Sequence, residues 1–465
     1  MRRCIVWVLV GLVQASGLAA AGMKPVAVTD PKDRQILDAF LRHVEKLPQE
    51  ITPEYCKKTA EEDAEGAEPV TWLIMPSLRM PLVAYKITAD PKYLDMFVQL
   101  FDNLRSALTV GRDGYLGWYG TAAPDYRDPN DPDRKTDAVI SSFTATDVIC
   151  DFLSLVAQDP KLSRRYAKQR KEYLDLAENH LVKKHTVRGE YVDLGRGGAI
   201  YRASPVGLNA RQARLTLPHN KNSMVMHGLL GLYRVTGKDE YMRKAIKLGI
   251  RYKHCLTLKD GHYEWDYWDP AGEWDIRRDD PGQWKHWIGP EHRGGYYSLS
   301  LSQAVALYEF GLVFDKSDMG RFLKTQLAMC WNGSMANPVW SRVDGTRPPQ
   351  YTQGEYISEA LAPFSEKVTE FLYRGLDRDE VLKDREDSWT GGPVAAGWLR
   401  AKLVDYPAAK GGKQVYREYG KRFLAKKENR DFLKALAFEV TPPGYIAPES
   451  PGQMSAAAAA ATPQP

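Results

Sequence analysis

Apolar residues recur along most of this chain at helical spacing, and the segments that carry them come in pairs. Residues 219–236 are apolar nearly all round beyond their polar first turn, whereas residues 240–252 keep their apolar side chains on one side and their basic ones largely on the other. A helix that is apolar all round is buried, and a helix with one polar face lies at a surface. The pattern therefore predicts an inner row of buried helices and an outer row of amphipathic ones.

The turns between paired segments repeat along the chain. An apolar segment runs into a short polar turn at Ala89, Gln158, Gly237 and Asp315, so the successive spacings are 69, 79 and 78 residues. A fixed period is a strong indicator of a repeated architecture, and this one is too long for arrays of short helical repeats. The extra length is expected in long loops on one side of each hairpin.

This arrangement resembles the α/α-toroid carbohydrate-active enzymes, which include polysaccharide lyases, several glycoside hydrolases and uronate epimerases. The resemblance rests on residues 229–242 and their echo at residues 82–94, and it covers roughly residues 70–435. It implies an all-α dominated fold, an incomplete (α/α) toroid of helical hairpins with long loops. A small β-hairpin is expected within residues 188–204, around the glycines at 195–198.

The two ends of the chain differ from the middle. Residues 1–21 have two arginines, an apolar run and a small-residue stretch at Ala19–Ala21, which is typical of a secretory signal peptide. We expect residues 22–440 to form the catalytic domain, with a strongly basic last helix from Lys413 to Leu436, and residues 441–465 to be a disordered Pro/Ala-rich tail. The protein is then secreted or periplasmic, with no membrane association after signal cleavage.

Charge and cysteine content narrow the function classes. The formal charge of +5 becomes +3 when Arg2 and Arg3 leave with the signal, too little to indicate a nucleic-acid partner. Four cysteines remain, which permits one or two disulfides, although Cys150 lies in an apolar run and is expected to be a buried thiol. The four are far apart, without zinc-site spacing. HExxH, P-loop, GxGxxG and GxSxG motifs are absent from the sequence.

The start of the helix at residue 219 carries the densest polar cluster. Asn220, Ser223 and His227 share one stripe of this helix, at its entry from a long loop. Polar side chains at the mouth of a buried helix are what a site at the end of a helical barrel needs. The alternative is a helix cap with one hydrogen-bonded core histidine.

Aromatic residues concentrate in the loop at residues 262–297, interleaved with His, Arg, Glu and Asp. Aromatic faces stack on sugar rings, and convergent polar groups among aromatics are typical of ligand sites. The alternative is an aromatic cluster that packs a long loop. The predicted partner is a polysaccharide or oligosaccharide, and its predicted stacking residues are Trp118, Trp265, Trp268, Trp284 and Trp287.

The toroid lyases suggest roles for the polar residues. A uronate lyase neutralises the substrate carboxylate, removes the C5 proton and protonates the leaving oxygen. Asn220, Asn222 and Arg293 are candidates for holding the carboxylate, with Arg214 upstream as a further groove residue. The candidate bases are His219, His286 and His292, and the candidate acids are Tyr296 and Tyr297.

Two other functions fit the same fold. A glycoside hydrolase needs two carboxylates flanking the bond, and Asp147 with Asp151 is one pair. A richer pool consists of Glu264, Asp266, Asp269, Glu273 and Asp275. A non-catalytic glycan-binding protein would keep the aromatic loop but not need the histidines. No metal or cofactor is predicted, with Ca²⁺ at the loop 125–133 as a minor alternative.

Overall fold

The structure, a computed structural model, describes residues 23–62, 67–347, 356–378, 399, 403 and 416–436. The predicted signal peptide and the predicted tail lie outside these ranges. So do the first residues of the predicted last helix.

Four buried helices lie side by side and form the inner row: α3, α5, α9 and α11 pack in that order. Their bounds are Met75–Thr88 (α3), Val139–Ala157 (α5), His219–Thr236 (α9) and Gly294–Phe310 (α11). Each is followed by an outer segment: Lys92–Arg105 (α4), Pro160–Arg165 and Ala167–Asp175 (α6, α7), Asp239–His254 (α10) and Lys316–Lys324 (α12). The helical hairpins of the predicted toroid are therefore confirmed.

The remaining elements flank these hairpins. The other helices are Pro31–Glu50 (α1), Pro53–Glu61 (α2), Lys183–Val187 (α8), Glu366–Arg378 (α13), Arg417–Ala425 (α14) and Lys427–Ala435 (α15). The strands form antiparallel pairs: Thr109–Val110 with Leu116–Gly117 (β1, β2), Gly120–Thr121 with Lys135–Thr136 (β3, β4), Tyr191–Asp193 with Ala199–Tyr201 (β5, β6) and Thr257–Lys259 with His262–Glu264 (β7, β8). The pair β5–β6 is the predicted hairpin.

The turns between inner and outer helices explain the repeat. Ala89, Gly237 and Gly311 end their inner helices with φ of 55°, 69° and 74°, in the left-handed region that stops a helix. Asp315 then begins α12 with a capping box, and Asp159 caps α6. These local signals are strong enough to be read from sequence.

Burial follows the predicted division of the helices. One contiguous hydrophobic core extends from Val28 to Leu436 and includes the facing sides of the inner and outer rows. Helix α5 is long and apolar enough to span a membrane, but 89% of its apolar window is buried inside the fold. A helix packed in this way is a core helix, which agrees with its place in the inner row.

Chain direction places the long loops together. Each inner helix turns directly into its outer helix, so the loops 106–138, 188–218 and 255–293 return the chain to the start of the next inner helix. They therefore lie at the N-terminal ends of α5, α9 and α11. A second, small apolar cluster of Leu215, Tyr267 and Trp268 packs beneath them.

Two sequence expectations need correction. The basic segment near the end is two helices, α14 and α15, because Lys426 between them is extended. The cysteines Cys56, Cys150, Cys255 and Cys330 are buried free thiols, so the disulfides that an even count allowed are not formed.

Candidate functional site

A cavity of about 380 Å³ opens at the N-terminal ends of the inner helices, and we call it the mouth cavity. Its walls combine aromatic rings with charged and amide groups. The lining residues are Glu68, Trp72, Tyr126, Gln212, Asn220, Lys221, Tyr267, His286, His292, Arg293 and Tyr296. This size and this mixture are typical of a site for a small ligand or part of a longer one.

Five residues predicted from sequence meet in the mouth cavity. Asn220 comes from the first turn of α9, and Tyr296 from the first turn of α11. His286, His292 and Arg293 come from the end of the aromatic loop that leads into α11. Helices α9 and α11 pack side by side, which brings the start of α9 close to this loop although the two are far apart in sequence.

Asn220 is the most informative of the five. Its side chain is 1% exposed, and within the described part of the chain neither its amide nitrogen nor its amide oxygen has a hydrogen-bond partner. A buried amide without partners costs about 1–3 kcal/mol, so such groups are rare in folded proteins. Because Asn220 lies in the wall of the mouth cavity, it is a candidate for a residue whose amide is paired only when a ligand is bound.

The two histidines of the cavity lie among aromatic rings. His292 contacts Tyr267 edge-on with ring centroids 4.7 Å apart, and His286 stacks on Trp268 at 5.7 Å. Burial lowers the pKa of His292 to about 4, and the charges of Arg293 and Arg342 act in the same direction. His292 is therefore neutral at physiological pH, the state in which an imidazole accepts a proton.

Charged groups on the remaining walls are partly paired. Arg293 lies over the ring of Tyr296, with its guanidinium carbon 5.3 Å from the ring centroid. Lys221 Nζ lies 3.1 Å from Glu68 Oε1, and the indole N–H of Trp72 donates to the same carboxylate at 3.0 Å. Glu68 is the carboxylate among the lining residues named above, and its charge is balanced by Lys221.

Two residues predicted to be catalytic form hydrogen bonds within the protein. The amide of Asn222 accepts from the backbone N–H of Tyr201 at 3.0 Å and donates to the Leu217 carbonyl at 2.7 Å. The buried hydroxyl of Tyr297 donates to Gln326 Oε1 at 3.0 Å. Neither residue lines the mouth cavity, whereas Asn220 and Tyr296 do.

His219 also lies behind the cavity wall. Its Nε2 is 2.7 Å from Asp269 Oδ2, and the residue is 5% exposed. Cys255 Sγ, Asp269 and His219 present ligand atoms that all lie within 4.8 Å of one another. This is a set of donors that could hold a metal ion, in a chain for which sequence predicted none.

The aromatic loop is more structural than predicted. Trp265 and Trp268 of this loop, and Trp118 from the loop 106–138, are at most 3% exposed, so they are packed inside the protein and offer no face to a sugar. The indole N–H groups of Trp118 and Trp268 donate to the carbonyls of Leu104 and Thr216. Trp287 is 45% exposed and near the cavity, in edge contact with His292 at 5.3 Å.

Two other predicted contacts lie outside the cavity lining. Trp284 is half-buried and packs against the small apolar cluster under the loops. Arg214 is exposed, with φ of 60°, and its charge contributes to lowering the pKa of Arg202, where burial is the larger cause. The loop 125–133 is largely exposed, with Asp128 Oδ1 accepting from the backbone of Asn130.

A second cavity of about 480 Å³ lies between the inner helices, and we call it the axial cavity. It contains the predicted carboxylate pair: Asp147 bonds Arg79 at 2.6 Å, and Asp151 bonds Arg234 at 2.7 Å. Burial alone would raise the pKa of Asp151, but Arg234, Lys86 and Arg79 together lower it well below its usual range. Both carboxylates lie on α5 and are paired with arginine, which does not suit a proton-donating acid.

Sequence reasoning missed several lining residues. Glu68, Trp72 and Tyr126 come from segments without a distinctive motif, and Gln212 and Lys221 resemble ordinary polar surface positions. It also missed Glu291, a buried carboxyl next to His292 whose pKa is raised to about 8 by burial. The run of polar residues from His219 to Asn222 was the available signal for Lys221.

Comparison with known proteins adds little at this site. No family model matches the chain, and no curated protein matches it. Among solved structures, the chain is similar to an inactive variant of the α-1,6-mannanase GH76A of Salegentibacter sp. in complex with α-1,6-mannotriose. That likeness has 10% sequence identity and a TM-score of 0.43, and it covers 82% of this chain and 98% of that one.

Proposed function

We propose that this protein is an exported enzyme that cleaves a polysaccharide, with the mouth cavity as its active site. The observation that carries the proposal is the convergence of Asn220, His292, Arg293 and Tyr296 in one cavity, where the amide of Asn220 has no hydrogen-bond partner among the described residues. Aromatic walls and convergent polar groups suit a sugar ring better than a flat apolar ligand. The cavity holds a neutral base, a hydroxyl donor and a cation, which are groups that can act chemically on a bound ligand.

These side chains fit β-elimination on a uronate. Asn220 and Arg293 would bind the substrate carboxylate and stabilise the charge that develops when the C5 proton leaves. His292 would accept that proton, and the Tyr296 hydroxyl would donate one to the leaving glycosidic oxygen. The C4–O bond breaks as the C4–C5 double bond forms, so the protons and electron pairs balance without a further reactant.

Glycoside hydrolysis is the second candidate, and Asp266 favours it. Burial, together with the charges of Asp269 and Asp344, raises the pKa of Asp266 to about 7. A carboxyl group that keeps its proton near neutral pH is what a general acid requires. Asp266 does not line the mouth cavity but immediately precedes Tyr267, which does, and Glu68 is a carboxylate inside the cavity.

One assay separates the two reactions. The purified chain is incubated with uronate-containing and neutral polysaccharides, and both the ultraviolet absorbance of a double bond conjugated to a carboxylate and the number of reducing ends are followed. Elimination produces both signals, because the new double bond is conjugated to the carboxylate, whereas hydrolysis produces reducing ends alone. We expect His292→Ala to abolish an elimination signal and Asp266→Asn to abolish a hydrolysis signal.

Lys168→Ala is the matched control, since Lys168 is 79% exposed on the outer helix α7. This variant should keep the wild-type rate. If the wild type cleaves a substrate and Asn220→Ala, His292→Ala and Asp266→Asn all retain its kcat/KM, the active site is elsewhere. Glycan binding without either signal would leave a binding protein.

A further inference from the structure

Three potential metal ligands meet behind the wall of the mouth cavity. His219 is the first residue of α9, Cys255 follows the last residue of α10, and Asp269 lies in the aromatic loop after β8. Their exposures are 5%, 3% and 3%. Three elements far apart in sequence thus bring one nitrogen, one sulfur and one oxygen donor to a single buried point.

The spacing of the donor atoms suits a small cation. All three ligand atoms lie within 4.8 Å of one another, and His219 Nε2 is 2.7 Å from Asp269 Oδ2. Zinc–ligand bonds of about 2.0–2.3 Å in tetrahedral geometry place the donor atoms roughly 3.3–3.8 Å apart. To bind zinc, the histidine and carboxylate atoms would separate by about half an ångström, and the thiol would move towards them.

Charge favours a divalent ion at this point. A thiolate from Cys255 and a carboxylate from Asp269 carry two negative charges, and a neutral imidazole adds none. A divalent cation makes the buried group neutral, whereas an isolated buried anion is costly. Arg251 lies beside this group: its guanidinium donates to the backbone carbonyl of Pro270 at 2.9 Å and lies 3.5 Å from that of Asp269.

We propose that His219, Cys255 and Asp269 bind one Zn²⁺ ion that fixes the start of α9, the end of α10 and the aromatic loop relative to one another. Mixed N, S and O donors select zinc over the hard cations Mg²⁺ and Ca²⁺, which take oxygen ligands. Water completes the coordination, as in other sites with three protein ligands. Asn220 follows His219 directly, so the ion would hold a wall of the mouth cavity in place.

Metal content tests this proposal without reference to any activity. The full chain is stripped with a chelator, reconstituted with Co²⁺ or Zn²⁺, and analysed for bound metal and for the thiolate-to-cobalt charge-transfer band. We expect one metal ion per chain, that band in the wild type, and a transition temperature several degrees lower after stripping. Cys255→Ser should lose the band and most of the bound metal.

Cys56→Ser is the matched control, because Cys56 is also a buried thiol but lies on the peripheral helix α2. It should bind metal as the wild type does. If Cys255→Ser does not fold, Asp269→Asn serves as a second variant. It should bind much less metal than the wild type. A wild-type protein without stoichiometric metal uptake, or a charge-transfer band that persists in Cys255→Ser, would overturn the proposal.

Discussion

Asn220 and Asn222 stand two positions apart on one helix and have opposite roles. Asn222 holds the chain before α9, through the backbone of Tyr201 and Leu217. The amide of Asn220 makes no hydrogen bond within the described residues, although Asn220 is also deeply buried. A residue that is unfavourable for stability and well placed for a ligand is the usual signature of a functional position.

This contrast predicts effects of opposite sign. Asn220→Leu should raise the free energy of unfolding by about 1–2 kcal/mol, because it removes an unsatisfied buried amide. The same change should lower kcat/KM by about 10²–10³-fold, since it removes a group that stabilises developing charge. Denaturant unfolding and steady-state kinetics measure the two effects.

Asn222→Leu is the comparison, and it should destabilise the protein because two backbone groups lose their partners. If Asn220→Leu destabilised the fold to the same extent, the Asn220 amide would have a structural role and the mouth cavity would lose its main support.

His292 predicts the acid side of the pH–rate profile. Because burial, aided by nearby cations, lowers its pKa to about 4, the imidazole stays neutral as the pH falls through the range in which an ordinary histidine is protonated. If His292 is the base, kcat/KM should hold down to about pH 4 and fall below it. Protonation of His292 also opposes folding. The contribution of neutral His292 to the free energy of unfolding is therefore complete above the unfolded pKa of about 6.5 and is lost as the pH falls toward 4.

The profile is measured on the wild type and on His286→Ala, which keeps His292 and should keep the low acid limb. An acid limb near pH 6.5 in the wild type would contradict the assignment of His292.

Sequence could place the cluster but not the direction of each side chain. Asn220, His292, Arg293 and Tyr296 were expected near one another because loops and helix starts share one end of the fold. The choice between Asn220 and Asn222, or Tyr296 and Tyr297, depends on helix rotation of about 100° per residue. Beyond its polar first turn helix α9 is apolar nearly all round, so the stripe of Asn220, Ser223 and His227 is the sequence signal that separates Asn220 from Asn222. The Lys221–Glu68 pair joins positions 153 residues apart and has no local signal.

The packing of α9 on α5 shows what the inner row demands of its helices. A Cβ added to Gly228 would lie 2.6 Å from the backbone oxygen of Phe143, and one added to Gly231 would lie 2.8 Å from the Cβ of Cys150. The two helices approach so closely that glycine is needed at the contact. Glycine in mid-helix is otherwise unfavourable, so its presence at these positions reflects the packing.

Gly228→Ala should therefore lower the free energy of unfolding by about 1–3 kcal/mol, because the methyl group meets rigid backbone. Gly320→Ala is the control: it lies exposed on α12 with nothing within 4 Å of an added Cβ, and it should stabilise by about 0.5–1 kcal/mol. Thermal or denaturant unfolding gives both values. Equal stabilisation by the two changes would mean that α5 and α9 can separate without cost.

Helices and their turns were the most predictable elements, because caps, prolines and apolar periodicity are local. The break between α14 and α15 was not. The side chain of Asn429 donates to the Phe423 carbonyl and accepts from Arg243 of α10, so a contact with a distant helix fixes the interruption. A continuous amphipathic pattern cannot report such a tertiary contact.

The molecule as a whole is organised around the axial cavity, where the inner helices enclose charge instead of apolar side chains alone. Arg79 from α3, Asp147 and Asp151 from α5 and Arg234 from α9 form one ionic group. Opposite charges at this point tie three neighbouring inner helices together in register. The pair predicted as hydrolytic carboxylates is thus better explained as part of the scaffold.

Arg234→Met tests that role. It removes the hydrogen-bonded arginine of Asp151, which is 16% exposed and lies 3.9 Å from Arg79, and it should lower the free energy of unfolding by about 3 kcal/mol at neutral pH. In the wild type the pKa of Asp151 is lowered, so its stabilising effect is present above the unfolded pKa of about 3.9 and is lost as the pH falls. In the variant the unpaired carboxyl should have a raised pKa, and the loss of stability should shrink toward acid pH.

Denaturant unfolding at several pH values measures this difference, and Arg234→Met combined with Asp151→Leu should recover most of the stability at neutral pH, because no uncompensated charge remains. If the double variant were as unstable as the single one, shape and not charge at Arg234 would hold the inner helices together.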